Sequence, residues 1–320
     1  MGVYLIRRII QSIPTLFFLT LIAFVFIRLA PGDVVDVLID PLVAREQGPE
    51  ALAARREELG LDQPAPMQYV NWLREVVQGN LGYSFIYRRP VTAMIAERLW
   101  GTLQLTIPAL ILATLLGVAA GIISSLRRYS LLDHALSIIS YGAWSLPNFF
   151  LGLILIYLIS VQLKWLPSSG MFSPGKETDW VNRLQHLILP VFVLGVQFLG
   201  LFTRQTRSAM LEVITCDFVT SARAKGLRES AVILRHILPN ALIPIITIIG
   251  LSLPLLVTGA IVTEIVFTWS GMGNLKMNAI LSRDYHVLMG VILIVGLGVV
   301  FFNLLTDMLY AVVDPRIRYS

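Results

Sequence analysis

Six stretches of this chain stay apolar for about as long as a helix needs to cross the hydrocarbon core of a bilayer, roughly 20 residues. No other feature constrains the fold so strongly. They cover residues 9–30, 102–124, 135–163, 187–203, 240–263 and 287–312. The third is long enough to tilt or to carry an interfacial end. The fourth is barely long enough and contains Pro190. Of 320 residues, 56% are hydrophobic and only 14% charged, against about 25% charged in soluble domains. The mean hydropathy is +0.75. A soluble core cannot hide that much apolar surface behind so few charges. The expected fold class is an all-α integral membrane protein with six transmembrane helices, an external helical segment after the first, and both termini cytoplasmic.

Six spans put both termini on one side, and basic residues decide which. With the N-terminus inside, the inner segments hold twelve: Arg7, Arg8, Arg127, Arg128, Arg204, Arg207, Arg223, Lys225, Arg228, Arg235, Arg316 and Arg318. The two short outer loops hold five, Lys164, Lys176, Arg183, Lys276 and Arg283, and Arg28 closes the first span on that side. The long outer segment 31–100 has seven basic residues against ten acidic ones, and long segments translocate largely regardless of charge. The basic pI of about 9.5 therefore reflects one membrane face and membrane lipid, not nucleic acid. Arg7 and Arg8 before an apolar run resemble a signal peptide. The run of 22 residues from Ile9 to Ala30 is too long for that, and Leu29-Ala30-Pro31-Gly32 is no small-x-small cleavage site, so a retained helix is expected.

The chain divides into 1–30, the N-terminal tail and first span; 31–101, an external segment; and 102–320, a five-helix core with a cytoplasmic loop at 204–239. In the external segment Pro49 suits the first turn of a helix through Leu52, Ala53 and Leu59. A second amphipathic stretch covers Gln68 to Val77, and its Tyr69 and Trp72 suit the membrane interface. A docking platform for an external partner and a cap that only packs on the bundle are both open readings. Gly117 and Gly121 form a GxxxG, which permits close helix approach; Gly296 and Gly298 read the same way.

Chemistry is sparse. His134, His186, His236 and His286 have no HExxH, CxxC or carboxylate cluster beside them, so no metal site is expected. No GxSxG elbow and no potassium-filter sequence supports a hydrolase or a selective channel. Gly170-Met-Phe-Ser-Pro-Gly175-Lys176 imitates a phosphate loop, but Glu177 stands where Ser or Thr must meet magnesium and no strand precedes it. No cofactor is expected on this chain, and ATP, if used, belongs to another subunit. Cys216 is the single cysteine, so no disulfide framework exists. The main intramembrane polar residues are Arg28, Gln104, Gln162, Gln197, Asn303 and Asp307, and they form no proton-relay series. Asp307 reads as a helix-end or snorkelling residue.

The most unusual part is the inner segment from Arg204 to Pro239, where six basic residues alternate with apolar ones. Asp217 is a suitable N-cap, Phe218 through Lys225 has helical composition, and Gly226 is placed as a C′ residue. A helix of about two turns cannot persist alone in water. Ala222 and Ala224 leave it thin and Phe218 supplies one large knob, which suits a groove on another protein. A re-entrant linker on the membrane fits the same residues, and both readings stay open.

Gly226 and Leu238-Pro239 resemble, at matching spacing, the cytoplasmic "EAA" loop of permease subunits from binding-protein-dependent ABC importers, with Ala222 as the second alanine. Thr220 stands at the acidic position, Ser221 at the first alanine and His236 at the isoleucine. These departures resemble the variant found in the dipeptide/oligopeptide/nickel branch. Arg7-Arg8-Ile with Ile27-Arg28-Leu-Ala-Pro-Gly-Asp33, Leu59-Gly-Leu-Asp-Gln-Pro64, Gly79-Asn-Leu-Gly82, Glu264 to Gly273 and Asp314-Pro-Arg-Ile-Arg318 are similar to that branch in the same order.

The resemblance implies a permease paired with a homologous second permease, two cytoplasmic ATPases that hold ATP and magnesium, and an external substrate-binding protein. It places ATPase coupling on Asp217, Phe218, Thr220, Ser221, Ala222, Arg223, Ala224, Lys225, Gly226, Leu227, His236, Leu238 and Pro239, with Pro239 breaking the chain before the fifth span. Di- or oligopeptides are the expected substrates; nickel chelates, glutathione and oligosaccharides compete within the family. An ATPase-independent channel or ion-coupled carrier is the alternative from another class. Ser145, Asn148, Gln162 and Gln197 are candidates to face the pathway, with plain interhelical hydrogen bonds as the competing reading.

Overall fold

The computed structural model describes residues 2–29, 62–84 and 86–313. The helix expected after Pro49 and the motif Asp314–Arg318 lie outside those residues. Helix α1 is Gly2–Leu29 and α2 is Ala65–Val77. A two-residue hairpin, β1 Tyr83–Ser84 and β2 Arg89–Pro90, pairs antiparallel with Tyr83 opposite Pro90. There follow α3 Val91–Leu126, α4 Leu131–Ser145 and α5 Asn148–Gln162, α6 Trp180–Ile214, and α7 Asp217–Ala224. The apolar run α8 is Glu229–Thr258. Two short helices, α9 Ile261–Val266 and α10 Met272–Leu281, precede α11, Tyr285–Val313.

Five of these, α1, α3, α6, α8 and α11, are each long and apolar enough to cross a membrane, and α4 with α5 makes a sixth if the bent pair is one span. The continuous helix expected over 135–163 is therefore corrected. Its halves meet at 102°, because Pro147 has no N–H to continue the ladder and forces Leu146 out of helical geometry. Leu146 is extended (ψ 125°) and Pro147 caps the next helix. Other spans outrun their apolar windows. The barely sufficient run 187–203 is the middle of a 35-residue helix, about 52 Å long at 1.5 Å per residue, and Pro190 lies inside it.

The centre of the bundle is the pairing of α3 with α6. Gly117 and Gly121 let it close: a Cβ on Gly121 would stand 2.5 Å from Thr206 Cβ, and one on Gly117 2.8 Å from Phe202 Cβ. Leu105, Ala109, Leu194 and Trp269 fill the outer half of this seam, and Leu110, Ala113 and Phe202 the next layer. Helix α1 lies outside, against α11. Asp307 is not a lone helix-end residue, since Arg8 pairs with it at 3.1 Å. Tyr69 is buried against α1: its hydroxyl lies 2.9 Å from Thr20 Oγ1, and Trp72 stacks on its ring. Helix α2 is thus pinned to α1.

The segment between α8 and α11 folds back on α3 around Glu264, which has no exposed surface. Its Oε1 accepts from Thr102 Oγ1 at 2.9 Å and Ala260 N at 3.2 Å; its Oε2 accepts from Asn274 N at 2.9 Å. The Gly273 N–H donates as well. Trp269 donates Nε1–H to Gly101 O at 2.8 Å, and Thr102 Oγ1 accepts from Met272 N at 2.7 Å. One carboxyl group thereby ties α9 and α10 to α3.

Candidate functional site

Short as it is, α7 is held from behind. Val219 and Ala222, one turn apart, are 0% and 5% exposed and pack with Met210 of α6 and with Val232, Ile237 and Ala241 of α8. Tertiary burial supplies what two turns of helix lack. Asp217 is not the N-cap: Cys216 occupies that position with no side-chain cap, and Asp217 is the first helical residue, exposed, where its charge suits the helix dipole. At the other end Gly226 sits at φ +74° as C′, as expected. A Cβ there would meet nothing within 4 Å, so backbone conformation alone calls for glycine.

The remaining residues divide by face. Phe218 and Leu227 are each 43% exposed. Thr220, Ser221, Ala224 and Lys225 are exposed as well. Arg223 is engaged with Glu229, Nη2 to Oε1 at 2.7 Å and Nε to Oε2 at 3.2 Å, which spans the Gly226 turn; an exposed pair of this kind adds little to stability. Ala222 faces inward. His236 and Leu238 are half-buried and Pro239 is exposed. Pro239 does not break the chain: it lies in the first turn of Leu238–Ser252, directly after a π-helical turn at Ile233–Ile237, so the helix continues through it.

Of the four pathway candidates, the fold joins two. Asn148, at the start of α5, donates Nδ2–H to Gln197 Oε1 on α6 at 2.8 Å, while the buried Oδ1 of Asn148 has no partner. Ser145 is exposed one turn earlier, its hydroxyl donating to Tyr141 O at 2.8 Å. Gln162 is separate, at the far end of α5, where Nε2–H donates to Tyr157 OH. Sequence reasoning missed the tie below them. Arg207 of α6 grips Asp133 of α4 with two bonds, 2.7 and 2.9 Å, and Ser124 Oγ and Tyr129 N donate to the same carboxylate. The signal was there: Ser130 caps α4 and Asp133 follows three residues later, the spacing of a capping box.

A helical bundle that crosses the membrane several times and offers a short helix at its edge is the fold of an ABC-transporter membrane subunit. A chain of the methionine ABC transporter MetNI, solved in inward-facing conformations, superposes with a TM-score of 0.55 at 18% identity, covering 70% of this chain and 97% of that one. The chain belongs to the family of binding-protein-dependent transport system inner membrane components, whose model matches residues 113–319, with the family's N-terminal model on residues 1–106. The oligopeptide transport system permease protein AppB of Bacillus subtilis (strain 168) is 41% identical over 100% of both chains. The glutathione transport system permease protein GsiC of Escherichia coli O6:H1 is 39% identical over 99% of both. This protein is therefore a multi-pass inner-membrane permease subunit of an ABC importer.

Proposed function

We propose that the chain passes di- or oligopeptides, delivered by an external binding protein, across the cytoplasmic membrane as one of a pair of homologous permeases driven by two ATPase subunits. ATP and magnesium belong to those subunits. Helix α7 is the coupling element, and one observation carries this: its inner face is fixed to α6 and α8 by Val219 and Ala222, while Phe218, Leu227 and the Gly226 turn are presented outward. A knob on a rigid base suits insertion into a groove. A re-entrant linker needs no such base. The peptide assignment draws on the oligopeptide system of the 41% relative; glutathione, nickel chelates and oligosaccharides are the competing substrates.

Closure of the ATPases biases the permease only if α7 is held differently in its two states. The variant to test is Phe218→Asp, because bulk at the buried Ala222 would disturb this chain's own packing. Tagged wild type purified in mild detergent is expected to carry a second permease and ATPases. Phe218→Asp is expected to keep the permease and lose the ATPases. A wild-type chain that transports alone, with Phe218→Asp unaffected, would return the reading to a channel or carrier.

A further inference from the structure

Between α4 and α6, on the cytoplasmic side of the Asn148–Gln197 bond, lies a cavity of about 230 Å³ lined by Ser137, Tyr141, Thr203, Arg204, Arg207 and Ser208 among others. We propose that it is an oxyanion site on the inner half of the pathway, with Arg204 as its cation, and that it takes the terminal carboxylate of the passing solute. This rests on the peptide reading above.

The charges in the pocket are unequal. Arg207 already has a counter-ion, donating from Nε and Nη2 to Asp133. Arg204 instead lies over two rings, 5.1 Å from the Trp144 centroid and 5.8 Å from that of Tyr141, and no carboxylate among the described residues pairs with it. Stacking holds a guanidinium plane while leaving its N–H edge available to an anion. Thr203, 2% exposed, also lines the cavity, and its hydroxyl has no hydrogen-bond partner. A guanidinium without a counter-ion in a hydroxyl-lined cavity is what an oxyanion would satisfy.

Position favours the solute over lipid. Ser137, Tyr141 and Ser145 recur along α4 at helical spacing, with Asn148 just beyond the bend, and Gln197, Arg204 and Ser208 recur along α6. The two stripes run from the Asn148–Gln197 bond to the cavity. A face turned to hydrocarbon is apolar, as at Ile139, which is exposed on the opposite side of α4; polar stripes in a membrane line a wet route or a protein contact. The volume is below the 300–1,000 Å³ or so of pockets that enclose whole small ligands, so the site takes an end group. One cation with hydroxyls also meets the need of a conduit to bind weakly enough to release.

The test uses the complete transporter with its binding protein in proteoliposomes, with labelled dipeptide uptake measured per ATP hydrolysed. Arg204→Gln is expected to lower uptake of the free acid about 10-fold, and Arg204→Lys to stay within about 3-fold of wild type. A second readout needs no transport. With 5-fluorotryptophan incorporated and the Trp144 resonance assigned by Trp144→Phe, free-acid dipeptide in phosphate-free maltoside should shift that resonance. Its C-terminal amide should not, and Arg204→Gln should abolish the shift. Equal uptake by wild type and Arg204→Gln, or equal shifts by acid and amide, would overturn the site. A response to added short-chain phosphatidylglycerol but not to peptide would make lipid phosphate the anion and overturn the solute assignment. Absence of ATP-driven peptide uptake by the wild type would instead strike the functional reading itself.

Discussion

Glu264→Gln should destabilise the protein by about 3–5 kcal/mol, although it changes one atom's chemistry and almost no volume. Every group directed at the Glu264 carboxyl is a donor: the Thr102 hydroxyl and the backbone N–H groups of Ala260, Gly273 and Asn274. A carboxylate accepts from all of them. A glutamine must place its NH2 against one oxygen's donors, so at least two hydrogen bonds go and two buried donors face a third. Bonds to a charged acceptor contribute about 1.5–3 kcal/mol each, which sets the range. Burial acts in the opposite direction, pushing the Glu264 carboxyl above its usual 4.5, and some of that desolvation cost is recovered by a neutral amide. The raised value also fixes a sign. Between the usual carboxylate range and the folded value the native state holds more protons than the unfolded chain, so wild-type stability falls as pH rises through that window, and Glu264→Gln removes the fall. The assay is reversible unfolding in mixed micelles as a function of pH. Gly271→Ala is the companion variant, since its Cβ would stand 2.4 Å from Glu264 Cδ and displace the same group. A loss below about 1 kcal/mol for Glu264→Gln would refute the view that donors converge here on an obligatory acceptor.

Arg207→Met should cost about 1–3 kcal/mol, the loss when a buried acceptor is left short of a donor, because Asp133 (3% exposed) keeps only the Ser124 and Tyr129 donors; an unfolding titration of Arg207→Met against Asp133→Asn/Arg207→Met checks it, the double variant being the milder. Gly226→Ala should cost about 1–2 kcal/mol for an L-residue at positive φ and lower peptide uptake per ATP while leaving α7 packed, which protection of Cys216 from a thiol reagent would report.

The existence of the spans was legible from apolar runs, whereas their ends were not, and the reason is physical. Helix α6 runs past its apolar window at both ends, over Trp180–His186 and Arg204–Ile214, where charged and polar residues end an apolar window without ending a helix. The bend at Leu146-Pro147 carried a signal in Pro147, but it lies inside an unbroken apolar run, and hydropathy is blind to direction. The α7 turn was legible because Gly226 acts through its own backbone. The inward turn of Ala222 was not, since it depends on Val232 and Ile237 beyond the turn. Glu264 could not be placed from the residues alone, because Thr102, 162 positions away, supplies one of its donors.

These placements bear on how a movement at α7 reaches the solute. Met210, which packs against the inner face of α7, lies on the same unbroken helix as Arg204 and Gln197, within about 20 Å at 1.5 Å per residue. Helix α6 is bound to α3 along its length by the close approach at Gly117 and Gly121, and to α4 by the Asp133–Arg207 pair. A pull on Phe218 is therefore not absorbed in a loop, because α7 has no slack against Met210, Val232 and Ile237. The compliant place is elsewhere. The break at Leu146-Pro147 interrupts the helical hydrogen-bond ladder, and the Asn148–Gln197 bond next to it leaves Asn148 Oδ1 without a partner. That joint can re-form its hydrogen bonds at low cost, while the contacts from α7 to Arg204 cannot. Displacement of α7 should thus change the angle between α4 and α5 before it changes the packing of α6.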